Sequence, residues 1–121
     1  MDKEQAIHSF WSGFGLTAYD ENTVDEDAKM PYITYSVSTD SLDGPLTLYG
    51  SLWYKSTSWE EISKKAEQIA EYISKASPIK LDSGYLWIMK GTPFAQRMSD
   101  PSSDLIRRIY INIDAEFLTA Y

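Results

Sequence analysis

The C-terminal part of the chain contains an uninterrupted alternation that limits what it can fold into more than any other feature. Between Leu105 and Phe117 every second residue belongs to one side, and the intervening residues to the other. One side reads Leu105, Arg107, Ile109, Ile111, Ile113, Ala115 and Phe117. The other side reads Ile106, Arg108, Tyr110, Asn112, Asp114 and Glu116. A period of two is that of a β-strand, so the run predicts one long strand with an apolar face.

Two further alternating runs predict a hairpin in the first half of the chain. The first run covers residues 32–38 and the second covers residues 46–54, and residues 40–45 between them are typical of a turn. Gly50 interrupts the apolar side of the second run, which indicates either a bulge or a close approach of another part of the backbone.

A second, shorter hairpin is predicted after residue 78. Its arms are residues 79–81 and 85–90, and residues 82–84 form the turn. Residues 91–104 contain Gly91, Pro93 and several serines and aspartates, so we expect a long excursion between strands there.

Two helices are predicted on different signals. Residues 3–11 carry a short apolar stripe that ends before Gly13 and Gly15, which predicts a short N-terminal helix. Ser58 and Glu61 have the spacing of a capping box, which predicts the start of a second helix. That helix has a long apolar stripe, formed by Trp59, Ile62, Ala66, Ile69, Ala70 and Ile73.

The order of these elements predicts the fold class. A chain of 121 residues is long enough for one domain and too short for two, so residues 1–121 are expected to fold as a single unit. We expect an α+β protein with an antiparallel β-sheet of about four strands, one long amphipathic helix packed on a face of the sheet, and a short N-terminal helix.

Composition and charge disfavour several function classes. The chain has no cysteine, so disulfides, a thiol nucleophile and a thiolate metal site are excluded. A net charge of −7 disfavours binding to nucleic-acid phosphates. No segment has the apolar run of a signal peptide or a membrane helix, so we expect neither secretion nor a membrane span. The acidic stretch, Asp20, Glu21, Asp25, Glu26 and Asp27, is interpreted as a solvated loop because it matches no calcium-loop spacing.

No catalytic constellation is recognisable. His8 is the only histidine, and a helix residue at the surface is a better interpretation of it than a triad base, since no serine lies in a nucleophile-elbow pattern. The glycines at 13 and 15 follow a helix rather than a strand, so we assign them to helix termination and not to phosphate binding. We therefore expect no enzyme activity, cofactor or metal.

Arg107 and Arg108 occupy adjacent strand positions and must face opposite sides of the sheet. Arg107 falls on the apolar side, where an arginine needs a carboxylate or a partner subunit, unless it lies at the frayed start of the strand. Both interpretations remain open from the sequence.

Three groups of segments resemble the tail terminator and head–tail joining proteins of long-tailed bacteriophages and prophages. They are Pro31-Tyr32-Ile33-Thr34-Tyr35, the segment 51–59, and Arg97-Met98-Ser99-Asp100 followed by residues 106–112. With the order of elements, the resemblance covers roughly residues 30 to 118.

The resemblance implies a small α+β subunit that forms a ring, commonly a hexamer, at the end of the tail tube or at the neck. Such a ring ends tube growth and joins tail to head, and DNA passes through it without being read. Its partners would be copies of itself and tail-tube and neck proteins, and its location the virion after assembly in the bacterial cytoplasm. On this basis the interface residues are expected to be Phe94, Arg97, Met98, Arg107, Arg108, Asp25, Glu26 and Asp27.

A second function class is a small acidic phage-encoded adaptor or inhibitor that binds a basic host protein by charge complementarity. A small enzyme is the least favoured class. A closed ring supports the assembly protein, whereas a monomer or dimer supports the adaptor.

Overall fold

The helices and strands follow one another in the order that the alternating runs and the capped helix predict, with one additional short strand near the N-terminus. In a computed structural model, which describes residues 2–38, 45–75, 78–82, 84–98, 103 and 105–119, there are two helices and six strands. They are α1 (Lys3–Ser12), β1 (Thr17–Asp20), β2 (Tyr32–Ser38), β3 (Pro45–Lys55), α2 (Glu60–Lys75), β4 (Ile79–Leu81), β5 (Gly84–Met98) and β6 (Ile106–Thr119).

The strands form one mixed sheet in the order β1-β2-β3-β6-β5-β4. β1 and β2 are parallel, and every other neighbouring pair is antiparallel. The predicted α+β class and the two helices are therefore confirmed. The predicted antiparallel sheet of about four strands is wrong in number and direction, because the sheet has six strands and β1 adds a parallel edge strand that was not predicted. The short hairpin arm predicted at residues 79–81 is present as β4 and pairs antiparallel with β5.

The parallel edge strand β1 has a short sequence with no alternating signal. It covers only Thr17–Asp20, and its four residues pair with residues 32–35 of β2. The acidic loop that follows returns the chain to the level where β1 began, so β2 runs in the same direction as β1. A strand this short is fixed by its neighbour rather than by its own pattern.

Strand β5 continues through a segment that was expected to be an excursion. Residues 91–98 remain part of β5, with a shift of register between Lys90 and Ala95. Gly91 makes this bulge possible, since a Cβ atom there would lie 2.8 Å from the backbone oxygen of Asn112. The Asn112 Nδ2 atom donates a hydrogen bond to the Pro93 carbonyl, at 2.9 Å. Glycine and proline mark a bulge here and not the end of a strand. The rest of the expected excursion lies mainly outside the described residues.

Both helices pack on one face of the sheet and enclose the hydrophobic core. On the helices the buried residues include Ile7, Phe10, Trp11, Ile62, Ala66 and Ile69. On the strands they include Ile33, Leu48, Leu52, Ile109, Ile111 and Ile113. The alternation predicted for β6 is confirmed, because Asp114, Glu116 and Leu118 between the buried positions are exposed.

The start of α2 carries only part of the predicted capping arrangement. The Ser58 hydroxyl accepts a hydrogen bond from the Glu60 amide, at 3.0 Å, while the Ser58 amide donates to the Ser56 hydroxyl and not to Glu61. A complete capping box lies instead at α1, where the Asp2 carboxylate accepts from the Gln5 amide and the Gln5 side chain accepts from the Asp2 amide. Neither described helix is both long and apolar enough to cross a membrane.

Candidate functional site

The sheet face turned away from the helices, here called the outer face, carries a continuous set of aromatic and charged side chains. It is defined on β6 by Arg108, Tyr110, Asn112, Asp114, Glu116 and Leu118, which alternate with the core residues. No described helix covers it. The residues directly opposite these positions on β3 and β5 complete the outer face.

Aromatic rings cross the outer face from β1 to β3. The rings of Tyr19 and Tyr32 meet edge to face at 5.7 Å, and Tyr32 is 6.4 Å from Trp53. The indole N–H of Trp53 donates to the hydroxyl of Thr34, at 2.9 Å. This bond satisfies the polar end of Trp53 and explains how Thr34 is buried on a face without helices.

Arg108 continues this arrangement onto β6. Its guanidinium lies over the Trp53 ring, 4.6 Å from the centroid, and its Nε atom donates to the Ser51 hydroxyl at 3.1 Å. The same guanidinium is 5.9 Å from the centroid of Tyr110. Arg108 is therefore held by its own chain through stacking and a hydrogen bond.

Tyr110 and Tyr49 form the far side of this aromatic group. Their rings are 5.6 Å apart. Burial raises the pKa of the Tyr110 hydroxyl, the nearby Tyr49 and Glu21 raise it further, and the Arg108 charge lowers it.

The opposite end of the outer face is apolar and exposed. Tyr85, Trp87, Met89 and Leu118 are 47%, 41%, 44% and 45% exposed. Tyr85 pairs with Leu118, so these side chains form a contiguous group, here called the apolar patch. Asp114 and Glu116 lie directly opposite Met89 and Trp87. The sequence held a signal for this patch, because Trp87 and Met89 alternate with Leu86 and Ile88.

The predicted interface arginines are divided between the two faces of the sheet. Arg97 and Arg107 lie on the helix side, where both stack on Trp59 at 4.9 and 5.3 Å from the ring centroid. Arg107 also donates from Nη2 to the Thr57 carbonyl, at 3.2 Å. The chain itself thus supplies contacts for Arg107 on the apolar side of the sheet.

The other predicted interface residues lie apart from one another. Met98 on β5 is exposed and lies directly opposite Arg108 on β6. Phe94 is partly buried against the core. Asp25, Glu26 and Asp27 are exposed in the loop after β1, where the Asp27 amide donates to the Asp25 carboxylate at 3.3 Å. The structure brings Met98 and Arg108 together and does not gather the predicted set into one site.

His8 is an exposed residue of α1 that connects the helix to the sheet. Its Nδ1 is 2.9 Å from the Tyr35 hydroxyl, and its Nε2 is 3.2 Å from the Ser12 hydroxyl. Burial raises the pKa of Tyr35, and the charges of Asp20 and Glu4 raise it further. Among the described residues, no group of three or more histidine, aspartate and glutamate side chains is placed to hold a metal ion.

A groove between the two helices lies on the other side of the molecule. It has a volume of about 290 Å³ and is lined by Ser9, Phe10, Gly13, Phe14, Tyr72 and Ile79. Its lining is mainly aromatic and apolar, so it offers contact area rather than acid–base chemistry.

Comparison with known proteins leaves the geometry as the main guide to function. No protein-family model matches the chain, and a search of curated proteins finds no match.

Proposed function

We propose that the chain is a structural assembly protein, a subunit that forms a ring at the tail end or neck of a bacteriophage, ends tail-tube growth and joins tail to head. The observation that supports this most strongly is the apolar patch on the outer face. Large exposed apolar side chains in contiguous positions are typical of protein–protein contact surfaces. Their position on a sheet without a covering layer favours a partner protein as the cover.

The chemistry of the patch favours a protein surface over a small ligand. Trp87 and Met89 are exposed residues of types that are enriched in interfaces. The outer face near Arg108 is held rigid by stacking and hydrogen bonds, so a partner would meet a preorganised surface.

The negative charge is compatible with a ring that DNA crosses. A subunit with a net charge of −7 would disfavour contact with phosphate, so DNA would pass through such a ring without binding. The resemblance to tail terminator and joining proteins adds the ring, commonly a hexamer, and the tail-tube and neck proteins as partners. On the same basis we propose that the protein is located in the virion after assembly in the bacterial cytoplasm.

The test is the oligomeric state of the purified chain over a concentration series, by native mass spectrometry with negative-stain imaging. We expect a closed ring that becomes dominant as concentration rises. The double variant Trp87→Ser, Met89→Ser should shift assembly to higher concentration, because it removes the centre of the patch. Glu67→Ser, on the exposed side of α2, serves as the matched control. A monomer at every concentration would contradict the proposal.

The adaptor remains a second candidate because of one observation. Asp25, Glu26 and Asp27 are all exposed in one loop, and such a loop can attract a basic protein. This candidate predicts a monomer or dimer whose binding to a basic partner weakens steeply with added salt. The ring predicts self-assembly without any partner.

A further inference from the structure

The edge formed by β5 is open along most of its length. β4 pairs only with Gly84, Tyr85 and Leu86, so among the described residues no strand lies beside β5 from Trp87 onward. The bulge between Lys90 and Ala95 divides this open edge. What remains beyond the bulge is a regular open segment of four residues, 95–98.

The opposite edge of the sheet is formed by β1, which is also four residues long. β1 pairs with β2 on one side, and no described strand lies on its other side. Outside the strand ladders, the backbone of residues 17–20 takes part in two described bonds, both at the Asp20 carbonyl, which accepts from the Thr23 amide at 2.9 Å and from the Thr23 hydroxyl at 3.5 Å. The Asp20 amide and the backbone groups of Ala18 take part in neither bond.

The two open segments occupy the same rows of the sheet, where a row means the residues directly opposite one another on successive strands. One row runs Thr17, Tyr32, Trp53, Arg108, Met98. The row three residues further along runs Asp20, Tyr35, Gly50, Ile111, Ala95. β1 and residues 95–98 therefore stand at the two opposite ends of the same rows.

The backbone groups of both segments point outward at matching positions. The Glu21 amide donates to the Tyr35 carbonyl at 2.9 Å, so Tyr35 directs its backbone groups towards β1. Hydrogen-bonded and non-hydrogen-bonded pairs alternate across an antiparallel sheet, which makes Ala95 and Arg97 direct theirs away from β6. Because the Glu21 amide points towards β2 and successive residues of a strand alternate in direction, Ala18 and Asp20 direct their backbone N–H and C=O groups away from β2.

We propose that β1 of one copy adds to residues 95–98 of the next copy as an antiparallel strand, which continues the sheet from subunit to subunit. In this joint Ala18 lies opposite Arg97 and Asp20 lies opposite Ala95, so the outward backbone groups face one another without any change of register. The joint rests on the proposed function, because it specifies how the ring is held together. The binding partner of the open β5 edge in this proposal is a second copy of this chain.

The side chains at the joint complement one another. Asp20 and Arg97 are exposed, lie on the same side of the sheet, and would become diagonal cross-strand neighbours of opposite charge. On the outer face Thr17 would lie beside Met98. Pairing of two β5 edges would instead bring Arg97 close to its own copy, which is unfavourable.

The joint uses two different edges, so each subunit carries one donor edge and one acceptor edge. Such head-to-tail contacts produce a ring when the rotation between subunits closes, and a filament when it does not. The bulge, Pro93 and the short β1 limit the pairing to four residues, which protects both edges from indiscriminate pairing.

The test uses the absence of native cysteine. In the variant Thr17→Cys, Met98→Cys the two thiols would lie directly opposite each other across the joint, at a Cα separation of about 4.5–5.5 Å. A disulfide spans this distance. Within one copy the two residues stand at the ends of a five-strand row, about 19 Å apart along the sheet, which a disulfide cannot span. After oxidation we expect a ladder of covalent oligomers on a denaturing gel, ending at the ring size.

Three controls make the result specific. Thr17→Cys, Glu67→Cys places the second thiol at an exposed position of α2, away from the joint and from the apolar patch, and should remain monomeric on the denaturing gel. Each single variant should also remain monomeric, and an equal mixture of the two should give covalent dimers only. Native mass of the reduced variant shows whether the ring itself is retained.

The outcomes separate the joint from the proposed function. A ring that forms without the covalent ladder would overturn the strand joint and leave the assembly function standing. Cross-linking of Met98→Cys alone would also overturn the joint, because it indicates contact between two β5 edges. A wild-type chain that stays monomeric at every concentration would overturn both.

Discussion

The indole ring of Trp11 lies directly on the backbone of Gly50. A Cβ atom at residue 50 would be 2.5 Å from the Cζ3 atom of Trp11 and 3.0 Å from its Cζ2 atom. Trp11 is fully buried and stacks nearly parallel to Tyr35, with an angle of 10° between the rings. The N-terminal helix is thus anchored to the middle of the sheet at the one β3 position that has no side chain.

Gly50→Ala should destabilise the fold by about 1–3 kcal/mol, because the added methyl group overpacks the contact with Trp11. Urea unfolding of the two proteins measures the difference. The effect should be smaller in a Trp11→Phe background, where the smaller ring leaves room for the methyl group. An equal cost of Gly50→Ala in both backgrounds would contradict the contact.

The long elements were predictable because each carries its own period. The alternation of β6 and the apolar stripe of α2 can be recognised without knowledge of the rest of the fold. Gly50 was predicted to mark a bulge or a close approach of another backbone segment, whereas the group that lies on it is the ring of Trp11. Trp11 is distant in sequence and could not be identified as its neighbour. β1 was missed, since a four-residue strand has too few positions to show a period.

The site was less predictable than the fold, for a physical reason. Arg108 stacks on Trp53 because β3 and β6 pair in one particular register, and register depends on contacts between distant segments. The predicted interface residues were taken from segments rich in charge or turn residues. The exposed Trp87 and Met89 lie within a regular strand that has apolar residues on both sides. Only the structure shows which of the two sides is buried in the core.

Arg108→Lys should destabilise the fold by about 1–2 kcal/mol. Lysine has no planar group to stack on Trp53, and it has no Nε donor for the Ser51 hydroxyl, which belongs to a buried residue. Equilibrium unfolding measures the loss. In a Ser51→Ala background the same substitution should cost less, since the hydroxyl that loses its partner is already absent. If the cost is unchanged there, stacking alone accounts for the role of Arg108.

Alkaline pH should destabilise the fold through three tyrosines. Burial is the first cause that raises the pKa of Tyr35, Tyr54 and Tyr110 in the folded chain. A raised pKa means that the folded state holds the hydroxyl proton more tightly than the unfolded state. This stability is fully present below the unfolded pKa of about 10 and is lost as pH rises through the folded pKa.

The measurement is the unfolding free energy at about pH 8 and about pH 10.5, which bracket the pKa of an unfolded tyrosine. The difference between the two pH values should be smaller in Tyr110→Phe than in the wild type. Tyr85→Phe, which removes a hydroxyl from an exposed position of the outer face, controls for general effects of the substitution. An unchanged difference in Tyr110→Phe would show that Tyr110 has no part in the alkaline transition.

Reversal of the charges at the proposed strand joint should weaken and then restore assembly. Asp20→Lys or Arg97→Glu alone would place like charges diagonally across the joint, and the loss is about 0.2–1 kcal/mol for each joint. The double variant Asp20→Lys, Arg97→Glu recreates an attractive pair in reverse and should recover most of the loss. The midpoint concentration of assembly, followed by sedimentation velocity, measures each effect.

A matched control separates contact from net charge, because every lysine substitution also reduces the acidity of the chain. Glu67→Lys makes the same charge change at an exposed position of α2, away from the joint. We expect it to leave the midpoint close to that of the wild type. Added salt should reduce the difference between Asp20→Lys and wild type, because the pair lies at the surface. If the double variant assembles no better than the single variants, Asp20 and Arg97 do not meet across the joint.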